Sequence, residues 1–488
     1  MDGYDDYTRE CPVVKFPEPG KAIPVVKFLP GRAEKAVFYL DEIDESKDAE
    51  FRSARDQSRL ADVVREEHNQ GVTLGQKFMP LNIPEVGPPI DNGALMDVCN
   101  YYPRIEFCIV PLNRNGEPDS SLERTFLVKL MDPYTGATLH DGIPLQMNDF
   151  KRAATIFGDN CAGAILYPNV KGANKLVENE VRRQVSGLPT VYKFTRAGWN
   201  RFKGRHFYAY QGCRLGGVTV ETNFTLPFYS ANGKDLAEIV WKVLALYKDK
   251  DIARVLFLYS LSGVMYALFR EAGYPIHFLL FILGKSGSFK TALAKVLYTQ
   301  LSKEEYRDQP RQIGIDTTVS FERAIVRDGC DTVMPFDDFN PARTASGERI
   351  LKDNLESIIR MTGDGTTRSR SNKELDNLRG EGVQGTIVVT GELMGTGLSS
   401  NLRCLYCNIE RNFVDTDILT ELQKNKYTIC TLIKYFTDYL SQRWEPTVEY
   451  IRTYFGEYRN DSVALSSITN KRLIDTYATL KIISDICS

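Results

Sequence analysis

Apolar positions along the chain change period from block to block, and the changes divide it. Residues 1–55 hold no period, because Pro12, Pro17, Pro19, Gly20, Pro24, Pro30 and Gly31 interrupt every run. This segment is expected to be loosely ordered, with one strand at 36–40. A polar stretch at 51–70 reads as helical, and a proline-rich connector covers 80–89. Residues 56–230 read as a β-rich domain, with strands at 104–110, 124–130, 191–195, 206–211 and 217–220 and short helices at 149–157 and 174–185. Helical patterns at 234–246 and 253–269 form a collar over 231–272. Over 273–412 strand and helix alternate: strands at 278–283, 332–336, 386–389 and 405–409, and helices at 292–297, 321–327 and 347–361. Residues 413–488 are helical (418–424, 428–442, 447–454 and 471 onward), with Pro446 and Gly456 as breaks. The fold predicted is α/β: a parallel-sheet core preceded by a β-rich α+β domain and followed by a helical one.

Composition narrows the picture only a little. The 488 residues exceed one hydrophobic core. Net charge is −2, so any nucleic-acid contact must come from a local basic cluster and not from a global field. Ten scattered cysteines suit a reducing cytoplasm, and the first residues are acidic, unlike a signal peptide. Cys404 and Cys407 form the one C-x-x-C, inside an alternating run that reads as a strand, so they are expected to be core. No apolar run reaches the roughly 18 residues of a membrane span, so no membrane contact is expected. Trp199, Phe202, Phe207, Tyr208 and Tyr210 could stack on bases, though a sheet core is the plainer reading.

The chemistry concentrates where the apolar run 278–283 meets Gly284, Lys285, Ser286, Gly287, Ser288, Phe289, Lys290 and Thr291. A strand, a Gly/Ser turn and a helix opening on Lys-Thr make a phosphate cradle, in which backbone N–H groups and the positive helix end face the anion. Lys290 would reach the outer phosphates of ATP, and Thr291 would ligate Mg²⁺. Phe289 stands where the second glycine of the usual pattern belongs. Such a bulky residue is expected to keep φ below zero and turn its ring outward onto the preceding helices, near Tyr266 or Phe269. The plainer alternative is an ordinary loop with a solvated lysine.

A second signature lies 47 residues beyond Lys290, where an apolar strand ends in Asp337-Asp338. In a nucleoside triphosphatase Asp337 would hold the metal and Asp338 would be the general base. A third, 100 residues beyond Lys290, is the polar strand end Thr390-Gly391-Glu392, suited to positioning a water. Between them Gly363 and Gly365 read as hinges for a basic loop carrying Arg368, Arg370 and Lys373, and Arg403 precedes the last strand.

Together these motifs resemble the superfamily-three-like, hexameric AAA+ helicases. More closely, the chain resembles the helicase-like P-loop ATPase family called domain of unknown function 927. The likeness runs over 100–410, through Ala197-Gly198-Trp199, the apolar helix before the loop, the loop itself, Asp337-Asp338, Gly363-x-Gly365, Thr390-Gly391-Glu392 and Arg403. The departures are Phe289, and Thr366-Thr367 where a lysine is expected. The resemblance implies an ATP- and Mg²⁺-dependent nucleic-acid motor, a DNA helicase or translocase acting in replication of a mobile genetic element. It further implies single-stranded DNA in the path of Arg368, Arg370 and Lys373, a homo-oligomer such as a hexamer, and a primase partner. Arg403 would sense nucleotide in its own chain or reach a neighbour's γ-phosphate. A phosphotransferase, a nucleotide-gated scaffold without turnover, and a site-specific initiator remain open alternatives.

Overall fold

The structure, a computed structural model, describes residues 95, 98–168, 170–213, 215, 218–304, 307, 311–312, 330–339, 344–365, 382–393, 398–425, 427–461 and 470–487. The expectations for 36–40, 51–70, 80–89 and 321–327, and for Arg368, Arg370 and Lys373, lie outside those residues.

The first layer is a mixed sheet. Strands β1 (Tyr102–Leu112), β2 (Thr125–Met131) and β3 (Thr138–Gln146) form an antiparallel meander. A 3-10 turn (Met147–Arg152) leads into α1 (Ala153–Asn160), and α2 (Ala173–Gln184) follows. Strand β4 (Thr190–Phe194) returns parallel to β1. A hairpin of β5 (Gly198–Phe202) and β6 (Arg205–Ala209) precedes β7 (Val218–Val220), which completes the order β3-β2-β1-β4-β7. Val128, Leu130, Leu145, Phe150, Phe157, Val177 and Val181 are fully buried between the sheet and the helices. Strand β3 was not anticipated, because its outward positions are polar and Gly142 and Pro144 interrupt the run. It is an edge strand, where proline is tolerated.

After the two-residue strand β8 (Phe224–Thr225) come α3 (Gly233–Ala245), capped by Asn232, and α4 (Lys250–Glu271), capped by Asp249. Contrary to the expectation that no stretch is long and apolar enough for a membrane span, α4 is, by length and composition. Its most apolar window is 78% buried inside the fold, which accounts for its composition as packing.

The second sheet is parallel throughout. Strand β9 (Leu279–Leu283) runs through the turn at 284–289 into α5 (Lys290–Tyr298), and β10 (Ser302–Lys303) pairs back to β8. Then come β11 (Arg311–Gln312), β12 (Val333–Phe339), α6 (Ala345–Asp364), β13 (Thr386–Gly391), the single turn α7 (Leu398–Asn401) and β14 (Cys404–Asn408). The order is β11-β12-β13-β9-β14. Both faces are covered, as a parallel sheet requires. Leu280 and Ile282 face α4, α5 and the C-terminal helices, whereas Leu279 and Phe281 face α6. Cys404 and Cys407, three apart on β14, fall into these two different cores and share no site. Burial pushes both thiols up to about 12.

Helices α8 (Thr416–Lys424), α9 (Thr428–Gln442), α10 (Trp444–Arg459) and α11 (Lys471–Cys487) close the structure. Neither expected break occurs. Pro446 sits in the first turn of α10, where no intrahelical N–H bond is lost, and the helix runs straight through Gly456.

Candidate nucleotide site

The loop leaves β9 at the carboxyl end of the sheet and is gripped there from both sides. The Gly284 amide donates to the Gly391 carbonyl at 3.2 Å, and Ile409 N donates to Leu283 O at 2.7 Å. A Cβ at Gly284 would lie 2.5 Å from the Ile409 carbonyl and 2.6 Å from Ser288 Oγ, so only glycine fits. Gly287 takes φ +78° and Phe289 takes φ +67°. The expected negative φ at Phe289 is therefore overturned: the phenylalanine adopts the left-handed conformation that the missing glycine would have taken. Its half-buried ring packs on the main core, and the Arg411 guanidinium lies 5.7 Å over it.

Lys290 is buried at the start of α5, and its Nζ donates to the Lys285 carbonyl at 3.0 Å, folding the cation back over the loop. Ser288 Oγ is buried and finds no hydrogen-bond partner among the described residues. Lys285, Ser286 and Gly287 are exposed at the loop crown. A buried lysine held by one neutral carbonyl and an orphaned hydroxyl suit an anionic ligand.

Thr291, Asp337 and Thr390 come together. Asp337 Oδ1 accepts from Thr291 Oγ1 at 2.9 Å and also from Thr390 Oγ1. The strand order explains the trio: β13 lies between the loop strand β9 and the acid strand β12, so its polar end is interposed between them. Sequence placed the end of the acid strand at Phe336, but β12 continues to Phe339, with its register against β13 irregular between Phe336 and Phe339. Such an irregularity bends the strand locally where it carries Asp337. The Asp338 backbone belongs to this strand. Glu392, half-buried just past β13, donates its amide to the Phe339 carbonyl at 3.0 Å.

Arg403 lies elsewhere. It precedes Cys404, which pairs with Leu279 at the amino end of β9, and its carbonyl accepts from Leu279 N at 3.0 Å. At about 3.3 Å per residue, the length of β9 separates it from the loop of its own chain. Within its own chain Arg403 therefore stands at the end of β9 opposite the loop. The guanidinium pairs with Asp364 at 2.7 Å. A Cβ at Gly363 would fall 2.1 Å from Arg403 Cδ, and Gly365 caps α6 at φ +65°. These glycines, expected as hinges, serve the arginine's stem and the helix end. Beside them Glu356 accepts from Ser400 and Arg360. Burial would raise its pKa, but these partners and the nearby Arg403 hold it below the ordinary value.

Trp199, Phe207 and Tyr208 are buried, so these rings are core and not a stacking platform. Trp199 Nε1 donates to Val264 O at 2.7 Å, and the ring meets Tyr208 at 5.1 Å and Trp444 at 4.9 Å. Beside them lies a group that sequence reading passed over, the fully buried Asp331. Its carboxylate accepts from Trp199 N at 2.9 Å and pairs with Arg114 at 3.2 Å, and its carbonyl accepts from Tyr208 Oη at 2.7 Å. Burial raises its pKa, and Arg114 opposes the rise. An acid just ahead of a buried strand was the available signal.

No family model and no curated protein matches the sequence. Among solved structures, SCCmec type IV Cch, an active helicase, aligns at TM-score 0.52 and 10% identity, over 79% of this chain and 69% of that one. An inhibitor-bound JCV helicase aligns at TM-score 0.25 and 13% identity, over 46% of this chain and 65% of that one. JCV helicase also aligns at TM-score 0.22 and 13% identity, over 46% and 72%. The Cch likeness shows a shared fold, and the two JCV alignments are too distant in shape to add to it.

Proposed function

We propose that the chain is an ATP-hydrolysing nucleic-acid motor, a DNA helicase or translocase, and that it belongs to the helicase-like family called domain of unknown function 927. The observation that carries this reading is the convergence of Thr291 and Thr390 on one carboxylate oxygen of Asp337, beside a buried lysine. Backbone amides of Lys285, Ser286, Gly287 and Phe289 would cradle the phosphates of ATP, and Lys290 would leave the Lys285 carbonyl for the outer phosphates. Thr291 and Asp337 are the residues to hold Mg²⁺, which would neutralise charge developing on the phosphates. Asp338 serves as general base, and Thr390 with Glu392 orients the attacking water. Arg403 acts in a neighbouring subunit of a homo-oligomer, hexameric by the same resemblance. Arg368, Arg370 and Lys373 contact single-stranded DNA. A cytoplasmic role in replication of a mobile genetic element, beside a primase, completes the proposal.

The test is steady-state ATPase activity with and without single-stranded DNA. Wild type should turn over ATP and be stimulated by DNA, and a folded Lys290→Ala should do neither. Wild-type rates in Lys290→Ala would sink the phosphate-loop assignment. ATP binding without turnover in wild type would favour the nucleotide-gated scaffold.

A further inference from the structure

The phosphate cradle has two flanks, because β9 lies between β13 and β14. Asp337 and Thr390 occupy the β13 side. A triphosphate with its outer phosphates toward them sends its other end toward the β14 side. That flank holds the 3-10 turn Arg411–Phe413, which leaves β14 just past the Ile409 carbonyl that crowds Gly284. Arg411 lies over Phe289, and the Phe413 ring stacks on Tyr247 at 5.8 Å and 28°. Phe413 nonetheless stays 38% exposed. The turn is pinned to the connection between α3 and α4. Glu410 N donates to Tyr247 Oη at 3.0 Å, and Lys248 donates to Phe413 O through N and to Asn412 O through Nζ, each at 2.8 Å.

The geometry points to Arg411 and Phe413, braced by Phe289 and Tyr247, as the nucleobase wall of the site, with a purine nucleoside triphosphate as the ligand. A guanidinium and an exposed ring on a fixed turn are the groups that hold a base by stacking and cation–π attraction. The wall gives Phe289 a purpose at the position where glycine is usual: its ring supports the guanidinium that meets the base. The inference rests on the phosphate-cradle reading above, but concerns the other end of the ligand.

Calorimetric titration of the full chain with Mg²⁺-ATP, Mg²⁺-CTP and Mg²⁺-tripolyphosphate tests it, using wild type, Arg411→Ala, Phe413→Ala and Lys290→Ala, each checked for a native melting curve. Both wall variants should weaken ATP binding about tenfold and leave tripolyphosphate unchanged. Wild type should prefer ATP to CTP, and the preference should shrink in the variants. Unchanged ATP affinity, or equal weakening of ATP and tripolyphosphate, would overturn the wall. Equal binding of ATP and CTP by wild type would overturn the purine assignment. If Phe413→Ala misfolds, Phe413→Leu keeps the bulk and removes the π-face, with the same outcomes expected. Lys290→Ala reports on the cradle separately. Should it weaken neither ligand while Phe413→Ala still weakens ATP, the cradle fails and the wall stands.

Discussion

Asp337 offers one oxygen to two hydroxyls, so removing either should alter chemistry before it alters the fold. Thr390→Val keeps shape and deletes one donor. ATPase turnover should fall about a hundredfold through misplacement of the attacking water, with ATP affinity retained. A rate within twofold of wild type would remove Thr390 from the chemistry. At Phe289 two effects oppose each other. Glycine would relieve the left-handed strain of about 1–2 kcal/mol, but would also delete a ring packed on the core under Arg411. Phe289→Gly should therefore shift the melting temperature by only a few degrees, where sequence alone suggests a clear loss. His206 supplies a pH dependence. It stacks on Trp444 at 3.9 Å, and burial lowers its pKa from 6.5, with Glu271 pulling the other way. A lowered pKa means that the unfolded state takes up the proton first. This contribution is therefore full above pH 6.5 and lost as pH falls through the folded value. Urea midpoints should drop between pH 7.5 and 5.5 in wild type, and drop less in His206→Phe.

Among the elements, the strands that carry the proposed site were legible because buried parallel strands are short and mostly apolar. Thr386–Gly391 and Leu279–Leu283 stand out in any reading. Edge strand β3 did not, since half its positions face water, and neither did α10's passage through Pro446 and Gly456, which tertiary packing decides. The trio at Asp337 was legible as three separate strand ends. Its meeting was not, because strand order is a long-range property. Nor was the close crossing of α4 over β12, where a Cβ at Gly263 would stand 2.3 Å from the Thr332 carbonyl carbon and 2.4 Å from Val333 N. Gly263→Ala must push the helix off the strand that carries Asp337. It should cost roughly 3 kcal/mol in denaturant unfolding. An unchanged midpoint would mean that helix and strand can part without penalty.

Across the whole molecule, the two sheets are joined at Asp331. Gln384 links the same point to Arg114 at 3.0 Å and Arg270 at 2.7 Å, and its carbonyl accepts from Asp331 N at 2.7 Å. Arg114→Met should destabilise by about 3–5 kcal/mol, because a buried carboxylate loses its counter-charge. Adding Asp331→Leu should recover much of that loss, since an apolar pair removes the orphan. A double-mutant cycle in urea measures the coupling, and simple additivity would mean that the pair holds nothing together.

The same junction bears on how far the protein can be taken apart. The sequence invites a cut ahead of α3, yielding a minimal fragment from Gly233 to the end that keeps every residue assigned to the nucleotide. Such a fragment would inherit Asp331 without Arg114, without the Trp199 amide and without the Tyr208 hydroxyl, and would lose the Trp199 ring from Trp444. The parts are therefore not interchangeable modules. The N-terminal region supplies partners to a buried acid of the parallel-sheet core, and the excised fragment should be recovered insoluble where the chain with both sheets is not.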